Sequence, residues 1–152
     1  MAITMLEKLY NKAFADGIHI LDYNLYPTTR AICMCNGQSK NIVINRPAIT
    51  SKAEETVVLS EELAHYETGT LYMLKPNFNS NIERSNRIKY EAQAKHRAIQ
   101  NILPVQKIKK AIVYACGNPH EAAEYCEITV EFFNEAVEYW QSTGIQFLFN
   151  YE

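Results

Sequence analysis

Leu59-Ser60-Glu61-Glu62-Leu63-Ala64-His65-Tyr66 reads Glu-Glu-x-x-His inside a strongly helical run. The related pattern His-Glu-x-x-His holds zinc through its two outer residues and uses the inner glutamate as a general base. Here a carboxylate replaces the first imidazole. The geometry tolerates the exchange, because residues i and i+4 of a helix lie about 40° apart and about 6 Å along the axis. Glu61 and His65 can therefore reach one ion, and Glu62 can face a water beside it. Carboxylates remain zinc ligands, at the cost of an added negative charge. The bland alternative is an acidic helix face that happens to carry one histidine.

The flanks sharpen the choice. Ser51-x-x-Glu54 reads as a capping box that opens the helix. Val57, Val58, Leu59, Leu63 and Ala64 make it largely apolar, so Glu61, Glu62 and His65 sit in a helix that wants burial. Two adjacent acids in such a place are costly unless something compensates them. Gly69 fits the helix C′ position. Tyr66, Tyr72 and Met73 can wall a site, or simply pack in the core.

Upstream, Arg30 to Cys35 and Asn41 to Asn45 are β-rich and are separated by Asn36-Gly37-Gln38-Ser39, a hairpin signal. Pro47 stops the second strand. A small antiparallel sheet thus precedes the motif helix, and its edge could hold an extended peptide by strand addition. Downstream, Leu74 to Asn81 is a loop with Pro76, and Ser80-x-x-Glu83 is a second capping box. The helix that follows runs to Leu103 and is stopped by Pro104. Glu91 lies in it and is the best third ligand, with pairing to Lys95 at i+4 as the rival account.

The rest of the chain is scaffold. Residues 2–15 form an amphipathic helix ended by Asp16-Gly17, and Ile18 to Leu21 is a short apolar stretch. Val105 to Cys116 is a helix ending at Gly117. His120-Glu121-x-x-Glu124 mimics a metal motif in reverse, but Asn118 as cap and Pro119 in the first turn explain it without a metal. A last helix starts near Thr129, turns Phe133, Ala136, Val137 and Trp140 inward, and ends at Gly144. His19 has no spaced partner and reads as a core or turn residue; His96, at i+5 from Glu91, falls on a different face of its helix and reads as surface or core.

Composition narrows the class. The chain has 152 residues, 47% of them hydrophobic, and a formal net charge of −2. That is one domain's length and argues against nucleic-acid binding by the whole surface. No apolar run suffices for a membrane span, and the N-terminus lacks the form of a signal peptide. Cys33, Cys35, Cys116 and Cys126 have no metal-knuckle spacing and read as reduced thiols of a cytoplasmic protein.

Three parts of the chain carry a family resemblance. They are Leu59-x-Glu61-Glu62-Leu63-Ala64-His65-Tyr66; Glu91-Ala92-Gln93-Ala94 followed by Ala98 and Ile102-Leu103-Pro104; and Glu121 through Val137. Together they resemble the ImmA/IrrE family of zincin-like metallo-endopeptidases, over most of the chain to about Gly144. The middle part is the most specific, since it holds glutamate and proline in one register. The resemblance implies a zincin-like α+β domain spanning residues 1–152, with a core over 1–104 and a C-terminal helical pair within 105–152. It implies Zn²⁺ on Glu61, His65 and Glu91, with Glu62 as catalytic base. It also implies an intracellular bacterial or phage-encoded protein that cleaves or controls a repressor. Glu61 departs from the family's first-ligand histidine, which bears on catalysis.

The leading expectation is therefore a metal-dependent endopeptidase. A first shell with two carboxylates is nearly neutral with Zn²⁺ and also admits harder ions such as Mn²⁺. The main alternative is a catalytically inactive zincin-like module that binds and regulates a protein. A ferritin-like di-metal site would need a second Glu-x-x-His pair, which the sequence lacks. DNA binding through residues 118–143 is disfavoured, because that segment has no lysine or arginine.

Overall fold

The structure is a computed structural model, and it describes residues 2–24, 29–36, 38–71 and 81–149. Among these residues six α-helices and a three-stranded sheet form an α+β fold. Helix α1 (Met5–Ala15) starts on a capping box: the Thr4 hydroxyl accepts from the Glu7 amide, and the Glu7 carboxylate accepts from the Thr4 amide. Beyond it the chain enters β1 (Ile18–Asp22), the stretch that reads only as short and apolar in the sequence.

Strands β2 (Ala31–Asn36) and β3 (Ser39–Ile44) pair antiparallel, as the hairpin signal predicts. The sheet as a whole is not antiparallel. Its order is β1-β3-β2, and β1 runs parallel to β3. The reason lies in β3, whose Ile42, Val43 and Ile44 are all buried. The most apolar strand takes the centre, where both its edges are paired, and β1 and β2 become the edges. Ile42 and Ile44 share a core with Ile18, with Leu9 and Ala13 of α1, and with the helix that follows.

That helix, α2 (Lys52–Thr68), carries the Glu-Glu-x-x-His stretch. The Ser51 hydroxyl accepts from the Glu54 amide at 3.1 Å. The reciprocal half of the expected capping box is absent. Glu54 instead accepts from the Thr50 amide and hydroxyl at 3.2 and 2.5 Å, and faces Arg30 at 3.2 Å. Its middle is buried, from Glu55 to Ser60 and again from Leu63 to His65. Glu55 accepts from the Tyr10 hydroxyl and the Arg46 guanidinium, both at 2.5 Å. Arg46 lies in a short 3₁₀ turn (Arg46–Ala48) and also reaches Asp22 at 2.8 Å. This clasp joins α1, the end of β1 and the start of α2.

Helix α3 (Asn81–Ile102) packs along α2 through Ala94, Ala98, Ile99 and Ile102. The second expected capping box, Ser80 to Glu83, and the loop with Tyr72 and Met73 lie outside the described residues. Pro104 then separates α3 from α4 (Val105–Tyr114), followed by α5 (Pro119–Tyr125) and α6 (Val130–Ser142). Asn118 accepts from the His120 and Glu121 amides at 2.9 and 3.3 Å, so that segment is a helix cap, as read. Helix α6 is fixed to α3. The Trp140 indole donates to the Leu103 carbonyl at 2.9 Å, and Gln100 donates to the Tyr139 hydroxyl at 2.7 Å. Among the described residues no helix is long and apolar enough to cross a membrane.

Gly69 ends α2 in the left-handed conformation, at φ +68°. Its own amide and the Thr70 amide both return to the His65 carbonyl. A Cβ here would meet nothing within 4 Å, so replacing the glycine costs only backbone strain, about 1 kcal/mol. Gly69→Ala should lower the melting temperature by about 2–4 °C, measured by circular dichroism. An unchanged midpoint would show that the helix does not end this way.

Candidate metal centre

His65 and Glu91 meet. The α2 imidazole Nε2 and the α3 carboxylate Oε2 stand 3.6 Å apart. Two donors at about 2.0 Å from one tetrahedral ion would stand about 3.3 Å apart, so the pair is spaced as shared ligands are. The other side of the ring is held by the turn after the helix. His65 Nδ1 lies 3.0 Å from the Thr70 carbonyl and 2.9 Å from its hydroxyl. A proton on Nδ1 donated to that carbonyl leaves Nε2 as the nitrogen with the lone pair, the arrangement that orients histidine ligands. Gly69 is what makes it possible, because its left-handed turn brings Thr70 back over the ring.

Electrostatics binds four groups into one cluster. Burial drives the Glu61 carboxyl up to about 7; the Lys95 charge works against this, while Glu62, Glu135 and Glu91 add to it. Burial also raises Glu62, with the Cys33 thiol and His65 opposing and Glu91 reinforcing. For His65 burial acts downward, but the Glu91 contact, the Glu62 and Glu91 charges and the Thr70 carbonyl outweigh it, and the net shift is upward. Each of Glu61, Glu62, His65 and Glu91 thus feels at least two of the others.

Two residues that sequence reasoning missed touch the cluster. One is Cys33 on β2, whose Sγ stands 2.8 Å from Glu62 Oε2 and 3.1 Å from the Glu62 carbonyl. The other is Thr70, for which Gly69 was the available signal, since a glycine that ends a helix brings the next residue back against its last turn. The sequence rival for Glu91 was Lys95, but the Lys95 ammonium pairs with Glu135 of α6 at 2.6 Å. His96 stacks on Tyr139 at 4.4 Å, away from the cluster, as its register implied. The Tyr66 hydroxyl is engaged by the hairpin. It accepts from the Asn41 amide at 2.9 Å and lies 2.7 and 2.8 Å from the Asn41 and Met34 carbonyls.

As the side chains stand, no three His, Cys, Asp or Glu residues among those described form a group that could hold an ion. His65 and Glu91 fit a metal in donor type and spacing. Glu61 shares their field but lies in the attraction of Lys95, and does not join them in a group of three as the side chains stand. Comparison with family models, with curated proteins and with solved structures returns no match to this chain.

Thr70→Val removes the hydroxyl but keeps the carbonyl that accepts from Nδ1, so zinc affinity should fall by less than about tenfold, the lower end of the effect of losing an orienting partner. Competition with a chelating dye would measure it. A loss of about tenfold or more would show that the hydroxyl, and not the carbonyl, orients the ring.

Proposed function

We propose that the protein is a metal-dependent endopeptidase acting on an extended segment of another protein. The observation that carries this reading is the His65–Glu91 pair, with the far ring nitrogen of His65 held by Thr70. His65, Glu91 and Glu61 would hold Zn²⁺, which when bound supplies Lewis acidity toward the scissile carbonyl. Glu62 is the base. It takes a proton from the attacking water as the C–O bond forms, and gives it to the amide nitrogen as the C–N bond breaks. Burial that raises the Glu62 carboxyl above the ordinary range suits a group that must both accept and release a proton. Strand β2 lies at the sheet edge beside Glu62 and offers its backbone to an extended peptide. A repressor is the kind of substrate that the ImmA/IrrE resemblance implies.

A second reading has an observation of its own. Glu61 replaces an imidazole and stands in the field of Lys95, which suits a zincin-shaped module that binds a protein without cutting it. Metal analysis of protein purified without chelators separates the two, followed by cleavage of a quenched peptide library with added zinc. The peptidase reading expects stoichiometric metal and metal-dependent cleavage; absence of both hands the chain to the module reading.

Substitutions should fall into two groups. His65→Ala and Glu91→Gln should lose metal and activity together, and Glu61→Gln should weaken both. Glu62→Gln should keep the metal while turnover falls by roughly 10²–10⁴-fold. Glu61→His should keep or tighten zinc binding; if it and His65→Ala both leave zinc at background, there is no metal site.

Nucleic acid is not expected as a partner. Residues 118–143 contain six glutamates and neither lysine nor arginine, and a recognition helix must approach phosphates. Duplex DNA should show no retardation in a low-salt gel; tight, salt-sensitive retardation would refute this.

A further inference from the structure

We infer that Cys33 is the positioning residue of Glu62: its thiol holds one oxygen of that carboxylate and ties it to the edge strand. The inference rests on the peptidase reading and adds a residue to it. Two contacts converge on one sulfur, 2.8 Å to Glu62 Oε2 and 3.1 Å to the Glu62 carbonyl. A thiol has a single proton, and the carboxylate oxygen, charged and closer, is the better acceptor. Cys33 is half-buried, on the core-facing side of β2 with Ala31. Burial, reinforced by the Glu62 charge, pushes its thiol well above the usual range, so the sulfur keeps its proton and acts as a donor.

This arrangement does something that burial of Glu62 alone would not. A glutamate has three rotatable side-chain bonds, and a base loses efficiency when its oxygen wanders from the proton it must take. With Oε2 engaged by sulfur, Oε1 is left as the proton-accepting oxygen. Because the donor belongs to β2, the base is registered against the strand that would pair with the peptide. A shift of the strand would carry the base with it.

The test uses the full chain in two measurements. The first is the S–H stretching band in infrared difference spectra of wild type and Cys33→Ser, repeated in a Glu62→Gln background. The inference expects a lowered, strongly bonded S–H band that moves when Glu62 becomes an amide; a band at the unbonded position, or one indifferent to Glu62→Gln, overturns it. The second is the kinetics of zinc-loaded protein on a peptide selected from the quenched library. Cys33→Ala should lower kcat about tenfold with KM and zinc content unchanged, and Cys33→Ser, which keeps a donor, should recover most of the loss. Equal losses in the two variants, or a loss that appears in KM alone, overturn the positioning role. If the wild type cleaves nothing while the band still moves, the peptidase reading fails and the thiol–carboxylate contact survives it.

Discussion

A helix buried along most of its length must answer for every charge it carries. Four of the ionisable groups of helix α2, Glu55, Glu61, Glu62 and His65, lie in its inner stretch, and the structure treats them differently. Glu55 is answered in full: a guanidinium and a phenol converge on one of its oxygens, and removing one partner of such a set typically costs several kcal/mol. His65 is held on both ring nitrogens. Glu62 has a thiol. Glu61 has no hydrogen bond or ion pair among the described residues, only the field of Lys95 and of its acidic neighbours. Glu67 at the far end is again fastened, to Lys12 of α1 and Asn101 of α3, so Glu61 stands out between groups that are answered on either side. Perturbed ionisable groups gathered in one place are a recognised mark of function, though ion-pair networks perturb them too.

The pattern in the sequence that survives best is the one governed by local rules. Glu61 and His65 share a helix face because the helical period requires it, and Gly69, Asn118 and the hairpin between β2 and β3 behave as their residue types demand. What was hidden depends on long-range pairing. Nothing near Ile18 says that β1 will lie parallel to a strand more than twenty residues away. Nor does Cys33 announce a glutamate partner 29 positions later. Lys95 was a plausible helical neighbour for Glu91 until a glutamate from α6 took its ammonium. The half-formed capping box at Ser51 shows the same competition, since Glu54 found Thr50 and Arg30 instead.

The C-terminal helices acquire a physical role in this view. Helix α3 presents Glu91 to His65 while burying alanines and isoleucines in the shared core. Trp140 on the Leu103 carbonyl, Tyr139 against Gln100 and His96, and Glu135 on Lys95 fix its position from the opposite side. The acidity of α5 and α6 then has one internal use: Glu135 keeps the Lys95 ammonium engaged beside a cluster of carboxylates.

The hydroxyl of Tyr66 sits between Met34 and Asn41, which face each other across the β2–β3 ladder. Strand pairing has a weakness: a slip of one residue turns every side chain to the opposite face while leaving a similar count of backbone bonds. Here such a slip would carry Cys33 away from α2 and present Ile32 or Met34 in its place. In the observed alignment the phenol meets the Asn41 amide and the Asn41 and Met34 carbonyls at once. Tyr66 thus ties helix α2 to both strands of the hairpin at the level where Cys33 faces Glu62.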